Sequence, residues 1–181
     1  MSNTPVHTLR RIAEAIAKPY GPGAVDSAAV NQSLRGLADR GILVGRKGIG
    51  RTSARRYSVA EAAFAATAFE LMQLGLPVKP NAEALAAGFF TPLLAEYLRR
   101  ITDGEEVGLS IRHVQFVRPG EPMGRGLRIA LYRTGAEPDF GAYEPETRGR
   151  PFLADDVVAA ETRMPLTPTL RPFLLTLEDD E

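Results

Sequence analysis

The stretch Leu34-Arg35-Gly36-Leu37-Ala38-Asp39-Arg40-Gly41-Ile42-Leu43-Val44-Gly45-Arg46-Lys47-Gly48-Ile49-Gly50-Arg51-Thr52-Ser53-Ala54-Arg55-Arg56-Tyr57 decides how this chain is read. Its first residues finish a helical pattern in which Val30, Leu34, Leu37 and Ala38 share one face. Asn31, Gln32, Arg35 and Asp39 fall away from that stripe, and Gly41 supplies the stop. Ile42-Leu43-Val44 is β-branched-rich and predicts a short strand. Residues 45–54 are a loop of Gly and Arg, and Arg55-Arg56-Tyr57 can return as the second strand of a hairpin. Upstream, Asp26 or Ser27 can cap the helix. Residues 8–18 predict a shorter helix with Leu9, Ile12, Ala13 and Ile16 on one side, ended by Pro19-Tyr20-Gly21-Pro22-Gly23. Downstream, Ser58-Val59-Ala60-Glu61 is a capping box opening a helix to about Gly75, with Phe64, Thr67, Ala68, Leu71 and Leu74 along one side. Leu76-Pro77 ends that helix.

Further along, residues 81–90 and 91–101 predict two short helices, the second with Pro92 in its first turn and Leu94, Leu98 and Ile101 on one face. Asp103-Gly104 breaks it. Residues 107–117 and 127–133 alternate as strands do. Val107, Leu109 and Ile111 are out of phase with Val114 and Phe116, which a bulge near Arg112-His113 would reconcile. Gly124-Arg125-Gly126 reads as a hairpin loop, because it lacks the Gly-Lys-Ser/Thr of a phosphate loop. Eight of the 14 prolines fall between Arg118 and Pro172, so a loop-rich or extended stretch is expected there. Residues 178–181 form an acidic tail expected to be disordered.

The 181 residues are 44% apolar and 24% charged, enough for a packed core and too little charge for wholesale disorder. No apolar run approaches the roughly 20 residues of a membrane helix. The first residues lack a charged start before an apolar segment, so a secretory signal is not expected and a cytoplasmic location is. There is no Cys, which excludes disulfides, thiolate metal sites and a thiol nucleophile. His7 and His113 are the only histidines, so neither a metal site nor a cofactor is expected. The Asp103-Glu105-Glu106 and Asp155-Asp156 carboxylates read as loop acids and caps, so no enzyme activity is expected. The net charge is zero, but residues 1–79 hold 11 basic and 5 acidic side chains while residues 80–181 hold 11 and 17. Nineteen of the 22 basic residues are Arg, the side chain suited to bidentate contact with phosphate and guanine.

Helix, turn, helix, short strand, basic Gly-rich loop and short strand follow in the order of a winged helix-turn-helix. Asn31, Gln32, Ser33 and Arg35 are then the candidate base-edge readers. Arg46, Lys47, Arg51, Thr52, Arg55, Arg56 and Tyr57 are the candidate backbone contacts. Residues 34–43, Arg56-Tyr57-Ser58 with the acidic helix start, and residues 71–78 resemble, in that order, the corresponding pieces of MerR-type transcription regulators. The resemblance covers about residues 8–80. It implies that Arg35 takes that family's recognition-helix arginine position and that Arg56 and Tyr57 take wing positions. The chain departs from the pattern in three ways. Gly36 and Leu37 replace the usual tyrosines, the first turn is longer and closer to a PadR- or MarR-type winged helix, and no long coiled coil follows.

The expectation is therefore an α+β chain with an N-terminal winged helix-turn-helix in residues 1–79, a mixed helical and β-containing regulatory or dimerisation region in residues 80–177, and the acidic tail. The expected function is that of a bacterial, sequence-specific DNA-binding transcriptional regulator acting as a homodimer on double-stranded DNA. The helices of residues 58–101 are the expected dimer surface. Two competing expectations are an adaptor whose winged helix binds protein, and a regulator whose second half, around residues 107–133, senses a small molecule.

Overall fold

The structure is a computed structural model and describes residues 6–47, 54–76, 78–116, 124–138 and 157–178. Along the chain run α1 (Leu9–Ala17), a single 3-10 turn (Lys18–Tyr20), α2 (Ser27–Asp39), β1 (Arg46–Lys47), β2 (Arg55–Arg56) and α3 (Val59–Gln73). These are followed by α4 (Val78–Phe89), α5 (Leu94–Thr102), β3 (Val107–Phe116), β4 (Gly124–Arg133), β5 (Val157–Pro165) and α6 (Thr167–Glu178). The strands make two antiparallel sheets, β1-β2 and β4-β3-β5, and the mixture of helices and antiparallel strands is α+β.

Helix α3 is the central post. Ser58 and Glu61 close the expected capping box. Ala62 to Phe69 and Leu71 are all buried, so this helix is apolar around its whole circumference rather than along one side. The rest of the chain covers it: α1, α2, α4, α5 and α6 each pack against α3. Leu74, expected on the buried side, is 58% exposed, because the helix ends at Gln73 and Leu74 lies in the capping turn. Phe64, Phe89 and Phe90 stack edge-on or tilted, with ring centroids 5.1 to 5.7 Å apart, and join α3 to the end of α4. Helix α4 begins at Val78, three residues earlier than the sequence pattern suggests, and α5 begins at Leu94, after rather than at Pro92.

The larger sheet lays one face on this helical layer. Leu109, Leu131 and Met164 form one buried row across β3, β4 and β5. Gly88 of α4 lies so close to β4 that a Cβ there would come within 2.5 Å of Ile129. The expected irregularity in β3 is present but sits in its partner. Between His113 and Val114 the register of β5 slips past Ala159, while β3 and β4 pair without interruption. Val114 is accordingly buried outside the main core cluster. Gly124-Arg125-Gly126 is not a loop: it pairs with Phe116, Gln115 and Val114 as the start of β4.

The proline-rich stretch contains regular structure that proline counting hides. Among its described residues are all of β5 and the first half of α6. Pro168 lies in the first turn of α6, where no amide partner is lost, and Pro172 lies inside the helix. Both are exposed, whereas Leu170, Phe173, Leu174 and Leu177 turn inward. The Thr167 hydroxyl accepts from the Val107 amide at 2.9 Å and donates to the Glu105 carbonyl at 2.7 Å, fastening α6 to the start of β3. Arg11 of α1 donates to the Thr176 carbonyl at 2.9 Å. Glu178 is the last residue of α6 rather than part of a loose tail, and residues 179–181 lie outside the described residues.

On the outer face of the sheet Glu161 accepts from Ser110 Oγ at 2.9 Å, from Arg112 Nε at 2.7 Å, and from Arg163. Burial alone would push this carboxyl up, but the hydrogen bonds from Arg163, Arg112 and Ser110 prevail and hold it down, at about 2 instead of 4.5. A depressed carboxylate stabilises the fold above its unfolded value, and that contribution drains away as pH falls through the folded value. Thermal melts by circular dichroism between pH 4.5 and 2 should therefore show a falling melting temperature in the parent. Glu161→Gln should start lower and change less over this window; an identical pH profile would show that the cluster contributes nothing.

Candidate nucleic-acid interface

The hairpin and α2 are built by local rules. Asp26 rather than Ser27 caps α2, its carboxylate accepting from the Ala28 amide at 2.9 Å. At the other end Gly41, at φ +73°, donates to Ala38 while Ile42 donates to Leu37, the paired bonds of a Schellman cap. This cap explains why Ile42-Leu43-Val44 is not the expected strand. The Ile42 amide is consumed by the helix end, Leu43 is fully buried in the core, and Val44 is 66% exposed. The first strand begins only at Arg46.

Gly45 makes the entry. Its φ is +55°, and a Cβ there would stand 2.7 Å from the Tyr57 ring. The Gly45 amide donates to Glu61 Oε1 at 2.8 Å, and the other oxygen of the same carboxylate accepts from the Ser58 amide and hydroxyl. Tyr57, expected at the nucleic-acid surface, is instead 2% exposed and forms the floor of the hairpin. Its amide and carbonyl pair with His7, so the segment before α1 lies beside the hairpin's second strand. Burial pushes the Tyr57 phenol up, Arg55 draws it down, and Glu61 and Asp39 add to the rise. The end of α2 and the root of the hairpin thus share one side chain as neighbour.

The cations stand on this base. Arg46 pairs across the hairpin with Arg56, and Lys47 with Arg55, and all four are exposed. Like charges directly opposite one another destabilise a strand pair. Among the described residues no carboxylate pairs with any of the four, nor with Arg35. Arg56 spends one N–H on the Val6 carbonyl at 3.1 Å. Elsewhere Arg99, Arg100, Arg112 and Arg163 each lie against a carboxylate at 3.1 Å or less. Arg51 and Thr52 lie outside the described residues.

On α2 the outward face is Ala28, Ala29, Gln32, Arg35 and Asp39, with Ser33 and Gly36 half-exposed. Asn31 differs from expectation. It flanks the Leu34–Ala38 side of the helix, and its amide oxygen is buried with no hydrogen-bond partner among the described residues. The Ser33 hydroxyl donates back to the Ala29 carbonyl at 3.1 Å. Gly36 is not among the expected contact residues, yet its place is informative. A Cβ there would meet nothing within 4 Å, so no packing inside the chain requires glycine. Its cue is a glycine in mid-helix with no turn to make.

The chain matches no protein-family model and no curated protein sequence.

Two substitutions separate these glycines. Gly36→Ala should stabilise the fold by about 0.5–1 kcal/mol, the helix-propensity difference, measured by urea unfolding. Gly45→Ala should destabilise it by at least about 1 kcal/mol, because an L side chain resists positive φ and its Cβ would strike Tyr57.

Proposed function

We propose that α1, α2 and the β1-β2 hairpin form a winged helix-turn-helix that binds double-stranded DNA, and that the protein is a sequence-specific transcriptional regulator. The observation that carries this reading is the hairpin itself, with Arg46 opposite Arg56 and Lys47 opposite Arg55, exposed and without a carboxylate among the described residues. A strand pair of like charges is relieved by an external polyanion, and DNA presents one negative charge about every 1.7 Å of axis. Arg35 and Gln32 on the outward face of α2 are of the types that read guanine and adenine edges in the major groove. Gly36, Ala28 and Ala29 keep that face low, so that a groove wall can approach the helix closely. In this division of labour the hairpin sets register on the phosphates and α2 supplies discrimination. A module this small buries too little surface for typical operator affinity, so the active species is proposed to be a homodimer on a two-fold-related site. Helix α3 is buried by its own chain from Ala62 to Phe69, which leaves the other helices of residues 58–101 to supply that contact.

Fluorescence anisotropy with labelled duplexes selected from a random pool, titrated over salt, tests the reading. Removing one phosphate-binding cation lowers the slope of log affinity against log salt by about 1, so Arg46→Ala with Lys47→Ala should reduce it by about 2. Arg35→Ala should instead narrow the gap between selected and unselected duplexes by about 1–3 kcal/mol with the salt slope nearly kept. A parent protein that retains no duplex at low salt, or slopes that ignore the hairpin variant, would remove the DNA-binding assignment.

A further inference from the structure

A cavity of about 230 Å³ opens where the 3-10 turn and α1 meet α3 and α6. Its walls are largely apolar on three sides, Ile16 of α1 with Pro19 of the 3-10 turn, Ala66 of α3, and Pro168 and Phe173 of α6, which also contributes Thr169. The fourth side is a polar pair, in which the Tyr20 hydroxyl donates to Glu70 Oε2 at 2.5 Å. Glu70 is the one charged side chain of the lining, and among the described residues no cation pairs with it. Burial, reinforced by the hydrogen bond to Glu70, pushes the Tyr20 phenol up to about 12, so at neutral pH it remains a donor.

We propose that this cavity is a binding site for a small lipophilic ammonium compound, its apolar body lodged among Ile16, Ala66 and Phe173 and its ammonium on the Glu70 carboxylate. Three physical points select that class. An apolar cavity of roughly 150 Å³ holds a benzene ring, so this one has room for a single ring with a short side chain. A lone carboxylate beside apolar walls repels an anion and leaves a neutral guest without a charge-assisted bond. Aromatic rings favour a cation over its neutral isostere, and Tyr20 and Phe173 both line the cavity. Tyr20 and Pro19 belong to the turn that leads towards α2, while Phe173 belongs to the helix that closes the chain, so a guest here bridges the first and last parts of the sequence. The site stands independently of the DNA-binding reading.

Isothermal titration and 15N-amide shift mapping on the full chain with 2-phenylethylammonium, 2-phenylethanol and 3-phenylpropionate provide the test. The ammonium should bind saturably in the millimolar range or tighter and shift the amides of Tyr20, Ala66, Glu70 and Phe173. The alcohol should be weaker by about tenfold, the worth of a charge-assisted hydrogen bond, and the carboxylate should not bind. Glu70→Gln should lose about that same factor for the ammonium and none for the alcohol. Tyr20→Phe, which frees the carboxylate of its donor, should keep or raise ammonium affinity. Equal affinity for the three probes, shifts confined to other residues, or no saturable binding of the ammonium would overturn the proposal. The comparison among probes on the parent protein decides it even where a variant fails to fold.

Discussion

A helix without a polar face cannot stand at a surface, and that constraint organises this molecule. Between Ala62 and Phe69 α3 exposes no residue to solvent. Its one polar side chain there, Thr67, bonds back to the Ala63 carbonyl at 2.9 Å and so asks nothing of its neighbours. Burying Phe64, Phe69 and Leu71 contributes on the order of 1.5–3 kcal/mol each, so a flank of α3 left open at any of them would forfeit a sizeable part of the stability of a domain this size. Its many alanines let the covering helices approach closely. Two of the covers come from the start of the chain and one from its end, which is why α6 folds back beneath α1 and why Arg11 reaches the Thr176 carbonyl.

Charge is arranged with the opposite economy in the two halves. Around the large sheet and α5 arginines are neutralised at short range: Arg100 bridges Glu96 and Glu105, and Arg112 and Arg163 converge on Glu161. Around the small hairpin the cations face each other. The Arg112–Glu161 pair is mostly covered and stabilises the sheet, whereas opposed like charges on the exposed hairpin cost something. A sequence that satisfies its arginines in one place and concentrates unsatisfied ones in another distinguishes structural from outward-facing charge.

What can be read in advance is whatever rests on neighbours in sequence. The Ser58–Glu61 box, the Gly41 stop, the buried faces of α1 and α2 and the alternation of β3 depend on residues within one turn or one pleat. Where tertiary contacts intervene, local pattern misleads. Ile42 has strand propensity, but its amide is claimed by the helix cap behind it. Tyr57 has the pattern of a surface aromatic among arginines, yet Gly45 and the segment at His7 enclose it. Asn31 sits one helical position too close to the core to present its amide freely. Helix α6 is hidden because proline signals a break, yet Pro168 lies in the first turn, where a helix tolerates it, and the helix continues past Pro172 in its interior. The cavity at Glu70 combines Pro19, Ala66 and Phe173, separated by up to 154 positions, and no local pattern could have joined them.

The Glu61 carboxylate grips Gly45 with one oxygen and Ser58 with the other. Both roots of the hairpin are therefore riveted to the first turn of α3, and hairpin and post form a single lever. The hairpin's strands are tied to α3, and α3 is wedged among five other helices. A protein built this way sets the angle of the four cations on its hairpin strands from α3, and so from the hydrophobic centre.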